Sequence, residues 1–168
     1  MHQYVIFDGN TRNAKLMGVE YVVSKKLFDT LSEDEKKLWH IHVYEVASGT
    51  LIAPGRPEKA EHEFMEKMIG ASGKTWHTWH TDEQHNLPVG IPHLMMGFTD
   101  DGQLAPSLVA DRDRRFSIST SERRKSREKI TVPPTTPGAD SWKGGEVLHW
   151  KLDRIKTKGP GTEAPAKQ

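Results

Sequence analysis

Apolar residues in this chain come in short alternating runs broken by turn residues, and one stretch alone keeps the helical period long enough to bury a full face. Residues 3–7 alternate, Tyr4 and Ile6 against Val5 and Phe7, which is the period of a strand. Asp8-Gly9-Asn10 follows as a turn, because Gly and Asn accept positive φ. Residues 16–23 are rich in β-branched and aromatic side chains and predict a second strand. Shorter runs at 40–46, 50–53, 75–80 and 93–98 predict further strands. Against these stands 58–69, where Ala60, Phe64, Met65, Met68 and Ile69 make one apolar face and Gly70 sits where a C-terminal cap belongs. Ser24 can open a short helix to Leu31, and Ser32-Glu33-Asp34-Glu35 has capping-box spacing. Residues 106–115 and a highly charged stretch at 120–130 supply the remaining helices. This mixture predicts an α+β fold: one compact domain over 1–130, a mostly antiparallel sheet flanked by helices, with the helices expected on one side.

The composition changes at Thr131. Val132-Pro133-Pro134-Thr135-Thr136-Pro137-Gly138 fits neither a helix nor a central strand, and 156–168 is Gly, Pro, Lys and Thr. Residues 131–168 therefore read as a mostly disordered tail. One patch interrupts it: Val147 to Leu152 alternates, has Trp142 and Trp150 beside it, and suits a strand docked on the body or on a partner.

Charge is distributed unevenly along the chain. Residues 1–110 hold ten Lys and Arg against fifteen Asp and Glu, whereas 111–130 hold eight against four. An acidic body thus carries a basic last helix, with Arg123-Arg124-Lys125-Ser126-Arg127 as its densest part. That cluster suits lipid phosphates or nucleic acid, or needs no partner as the solvated face of a helix that also bears Glu122 and Glu128. Aromatic residues are not interleaved with it, which argues against specific nucleic-acid binding. There are no cysteines, so disulfides, thiolate metal sites and cysteine nucleophiles are excluded, and a reducing compartment suits the chain. No apolar run approaches the ~20 residues of a transmembrane segment, and the start of the chain has no signal-peptide pattern. Walker, GxGxxG and GxSxG motifs are absent, which removes the usual nucleotide and hydrolase cues.

Histidine carries the chemically interesting signal, with nine in 168 residues. His40-x-His42 on a strand would present two imidazoles on one face, ~6–7 Å apart. Glu45 follows closely but has the wrong parity for a flat strand. His77 leads a second group, His77-x-x-His80, in which the two members have opposite parity. The predicted donor set is therefore His40, His42, Glu45 and His77. It suits one divalent transition metal (Zn, Fe, Mn, Ni or Cu) with a position left for a water or substrate. The ligand types resemble those of cupin metal sites, without the cupin glycine and proline spacing. Trp39, Trp76 and Trp79 would wall such a pocket or fill the core. The alternative is that these histidines are hydrogen-bonding tips on half-buried strands.

Several longer motifs point to a family. They are Gly18-Val19-Glu20-Tyr21-Val22-Val23-Ser24, then Glu35-Lys36-Lys37-Leu38-Trp39-His40-x-His42-x-Tyr44-Glu45-Val46-x-Ser48-Gly49, then Gly73-Lys74-Thr75-Trp76-His77-Thr78-Trp79, then Leu94-Met95-Met96. In order and over roughly residues 3–130, they resemble the oil body-associated protein family, a family of unknown function. The resemblance implies a non-enzymatic cytoplasmic protein that meets the lipid-droplet surface peripherally. The basic helix and the tryptophan-containing tail are the first places to expect that contact. It also puts His40, His42, Glu45 and His77 inside the family's most distinctive motifs. Typical members carry an additional N-terminal segment before the first of these motifs.

Overall fold

The computed structural model describes residues 1–83, 86–145, 147–148 and 151–155. Five strands form one antiparallel sheet: β1 (His2–Phe7), β2 (Leu16–Ser24), β3 (His40–Ile41), β4 (Ala71–His77) and β5 (His93–Met95). Strands β1, β2, β4 and β3 lie side by side, and β5 also pairs with β4. The helices are α1 (Lys25–Phe28), α2 (Glu33–Lys36), α3 (Val43–Ala47), α4 (Glu58–Met68), α5 (Pro106–Phe116) and α6 (Thr120–Arg127). The α+β class and the antiparallel sheet agree with the sequence.

Two adjacent residues of β2 organise the packing, because successive strand side chains point to opposite faces. Val22 enters one cluster with Val46, Met65, Met68, Ile69, Ala71 and Ile130, supplied by α3, α4 and the residues after α6. Val23 enters another with Phe28 and Trp39, whose rings meet edge to face at 6.3 Å. Helical residues therefore pack on both faces of the sheet, where the sequence predicted one. The amphipathic pattern of α4 is read correctly: Met65 and Met68 are buried and Ile69 is the C-cap.

Several element boundaries differ from expectation, for identifiable reasons. The run 40–46 is not one strand. It pairs with β4 only at His40 and Ile41, and the chain turns into α3 at His42. Residues 50–53 make no strand because their backbone is occupied otherwise. Leu51 N donates to Glu45 O at 2.9 Å, Ala53 N to Glu61 Oε1 at 3.2 Å, and Leu51 O accepts from Arg127 at 2.7 Å. Strand 93–98 stops at Met95, and the strand expected at 75–80 runs instead over Ala71–His77.

The tail does not leave the body at Thr131. Residues 131–145 form a strap against it. A Cβ at Gly70 would lie 3.0 Å from Pro133 Cγ, and Lys25 Nζ donates to Thr136 Oγ1 at 2.6 Å. Asp140 N donates to Trp39 O at 2.9 Å, the Asp140 carboxylate accepts from Ile41 N at 3.3 Å, and Ser141 Oγ donates to Lys37 O at 3.0 Å. The first part of the region expected to be a tail thus meets the body through side-chain and backbone contacts. Further on, Val147 and Leu148 line a cleft with Ile91–Met95 residues such as His93 and Leu94. Trp150 and residues 156–168 lie outside the described residues.

Candidate functional site

The cluster that gathers potential metal donors is built where β4 changes partner on its outer edge. His40 pairs with Gly73 through β3, and Met95 pairs with Thr75 through β5. On the inner side Glu20 pairs with Thr75. Directly opposed residues share a face, so Glu20 and His40 project from the same side of the sheet, the side that carries α3 and α4. His42 occupies the position before α3 and turns back onto the same spot.

Both imidazoles converge on a single carboxylate oxygen. His40 Nε2 lies 3.2 Å and His42 Nε2 3.1 Å from Glu20 Oε1. Their rings meet at 77°, centroids 5.1 Å apart. Both histidines are buried, at 4% and 3% exposure. His42 Nδ1 is 3.1 Å from Ala71 O, so that nitrogen carries a proton and donates it to the carbonyl. His40 Nδ1 is buried without a hydrogen-bond partner. The electrostatics follow from this packing. Burial alone would raise the Glu20 carboxyl, but the hydrogen bonds and charges of His40 and His42 lower it to about 2. Burial would likewise lower His42, yet the Glu20 hydrogen bond and charge raise it overall.

Two glycines leave room around these atoms. A Cβ at Gly73 would stand 2.2 Å from Glu20 Oε1 and 2.7 Å from His40 Nε2. At Gly97 a Cβ would stand 2.9 Å from His40 Cδ2 and 3.3 Å from the Glu45 carboxyl. Glu45 is thus beside His40, its Oε1 accepting from Phe98 N at 3.3 Å.

Of the sequence-predicted donors, the fold joins His40 and His42, and puts Glu45 next to them on α3. His77 shares their face of the sheet but pairs with Gly18 and His93, four residues along β4 from the partner of His40, roughly 13 Å, and two from the partner of Glu20, roughly 7 Å. There it sits near a second imidazole pair, His80 and His93, whose rings are 4.1 Å apart; burial first, and the neighbouring His80, lower its pKa. Among the described residues, Glu20, His40 and His42 form the group whose donor atoms lie within 4.8 Å of one another. Glu20 is the member that sequence reasoning did not select. Its signal was present, as a carboxylate that interrupts an apolar strand on the parity of Val22. Trp39 and Trp76 do not wall the cluster, since Trp39 pairs its packing with Val23 and Trp76 stands opposite Val19, both on the other face.

The basic run of α6 is largely engaged within the fold. Arg127 is 3% exposed. It donates to Val46 O at 2.9 Å and Leu51 O at 2.7 Å, and pairs with Glu61 at 3.0 Å. Arg123 pairs with Glu58 and Glu61 at 3.2 and 3.3 Å, and Arg124 pairs with Asp101 at 2.5 Å.

A family model described as protein of unknown function (DUF1264) matches residues 1–131. Among curated proteins, oil body-associated protein 1B of Arabidopsis thaliana is 43% identical over 158 residues, 94% of this chain and 66% of the relative. Oil body-associated protein 2C of the same plant is 42% identical, over 84% of this chain and 61% of the relative. Oil body-associated protein 1A of Zea mays is 41% identical, over 79% and 56%. The matches thus span between about half and two thirds of these relatives' length. No solved structure matches the chain.

Proposed function

The chain belongs to the oil body-associated protein family, proteins of unknown function that share the DUF1264 domain, and from that premise we propose that it is a peripheral protein of the lipid-droplet surface. The names of its relatives carry this reading. Among the described residues no helix is long and apolar enough to cross a membrane, and the reading places attachment at a surface of the fold.

The β1–β2 end of the sheet face that carries Val23 is the best candidate for that surface. Val5, Val19, Trp76 and Leu94 are aligned across β1, β2, β4 and β5, and Phe7 pairs with Leu16 at the end of the hairpin. Val5 is 64% exposed, Phe7 48% and Leu16 47%. Val19, Trp76 and Leu94 are half-buried, so the exposed apolar side chains are those of the β1–β2 hairpin, and exposed apolar residues grouped in this way mark an interaction surface. The helix α6 is a poorer candidate, because its arginines are committed to Glu58, Glu61 and Asp101.

Flotation tests the reading. Purified protein mixed with triacylglycerol droplets coated with phosphatidylcholine should rise with them in a density gradient. The variant Val5→Asp/Phe7→Asp/Leu16→Asp should stay below, with an unchanged circular dichroism spectrum. Wild-type protein that stays below would overturn the droplet reading. A folded variant that floats like wild type would remove the sheet face from it.

A further inference from the structure

We infer that Glu20, His40 and His42 form a binding site for one divalent first-row transition metal ion, of which zinc is the chemical type. The inference does not rest on the droplet reading. It stands on the positions of protons and lone pairs. His42 Nδ1 donates to Ala71 O at 3.1 Å, which in a neutral imidazole leaves Nε2 as a bare lone pair. That lone pair faces Glu20 Oε1 at 3.1 Å, an arrangement that is repulsive unless a proton or a cation lies between them. The same oxygen faces His40 Nε2 at 3.2 Å. Protons can satisfy both contacts when His42 is a full imidazolium, and His40 Nδ1 is unpartnered in either case. One cation satisfies both contacts with neutral rings.

Both imidazole–carboxylate separations suit a metal, and the three donor atoms lie within 4.8 Å of one another. An ion held at about 2.0–2.2 Å by imidazole nitrogen and carboxylate oxygen sets its donors roughly 2.9–3.5 Å apart in tetrahedral or octahedral coordination. The two nitrogen–oxygen separations, 3.1 and 3.2 Å, fall within that range. The backbone carbonyl behind His42 is the outer-shell partner that metal-bound histidines ordinarily have, fixing tautomer and ring orientation. Gly73 keeps the sheet open beside Glu20 Oε1 and His40 Nε2, where any Cβ would collide. Two further carboxylates stand near the imidazoles, Glu45 beside His40 and Asp140 on Ile41 N, so the surroundings favour positive charge. Two imidazoles and one carboxylate form a borderline-soft donor set that discriminates against calcium and magnesium.

The test uses the full chain, with any affinity tag removed and metal stripped by chelation. Cobalt(II) titration should produce d–d absorption bands that saturate at one equivalent, and zinc should abolish them. Glu20→Gln and His40→Gln should each weaken binding at least tenfold while keeping the circular dichroism spectrum. Wild-type protein that gives neither d–d bands nor heat on zinc titration overturns the inference, and that result needs no variant to interpret. Equal binding in wild type and in both folded variants also overturns it, because the ion would then sit elsewhere, as at His77, His80 and His93.

Discussion

Glu20 and His42 shift one another's proton affinity in opposite directions, and this sets a pH window for the metal-stripped protein. Glu20 is held at about 2 against an ordinary 4.5, so its contribution to stability is complete above 4.5 and is lost as pH falls toward 2. His42 is raised above its ordinary 6.5, so its contribution is complete below 6.5 and is lost as pH rises through the higher folded value. Urea unfolding midpoints should therefore plateau between those two ordinary values and decline on either side, and Glu20→Gln should flatten both declines. Identical profiles for wild type and variant would mean that the pair is not coupled. Two of the three members of this cluster were legible in the sequence. His-x-His is visible because the spacing itself says that two rings share a neighbourhood. Glu20 is twenty residues upstream, and its approach depends on the β2–β4 register, which no local pattern encodes. His77 has suitable chemistry and the right face, but its position along the strand decides its neighbours, and that too is a register property.

At the scale of elements, α6 carries a lesson about charge. Its basic run reads from sequence as a solvated face or a phosphate-binding patch, yet Arg127 points inward and ties α3, the 50–53 segment and α4 together through Val46 O, Leu51 O and Glu61. Removing one partner of a buried ion pair costs about 3–5 kcal/mol, whereas an exposed lysine costs less than about 0.5 kcal/mol. Arg127→Ala should therefore lower the unfolding free energy by about 3–5 kcal/mol, and Lys125→Ala should leave it nearly unchanged, both read by urea denaturation. The same bonds explain why 50–53 was mistaken for a strand. Its side chains have the composition of one, but Arg112, Arg127 and Glu61 reach its backbone from distant elements. Long amphipathic α4 was legible because eleven residues repeat one period. The run 40–46 was not, because seven alternating residues fit a strand until tertiary contacts turn the chain at His42.

For the whole molecule, the strap of residues 131–145 ties the end of the folded body to Trp39 and Ile41. Asp140 is 5% exposed and its carboxylate accepts from the Ile41 amide, next to the candidate metal donors on the chain. Ending the protein after Ile130 removes that acceptor together with the contacts at Thr136 and Ser141. A buried donor left unsatisfied costs about 1–3 kcal/mol. Thermal unfolding should thus fall by several degrees in a chain ending at Ile130 and stay near the full-length value in one ending at Gly145. Equal midpoints for the two truncations would show that the strap adds nothing. Composition marked 131 as a boundary because prolines exclude helix and sheet, and it is silent about extended chain held by side chains.

The outer edge of β4 is shared by two strands laid end to end, β3 on Ser72 and Gly73 and β5 on Thr75 to His77. A sheet edge made of two pieces behaves like a door with two leaves. The β5 leaf is held by three residue pairs and brings Gly97 over His40 and Glu45, while the β3 leaf is anchored from behind by Asp140. The two pieces are held by different bonds, so loosening the first would take Gly97 away from His40 and Glu45 and leave the Asp140 contact on Ile41 in place.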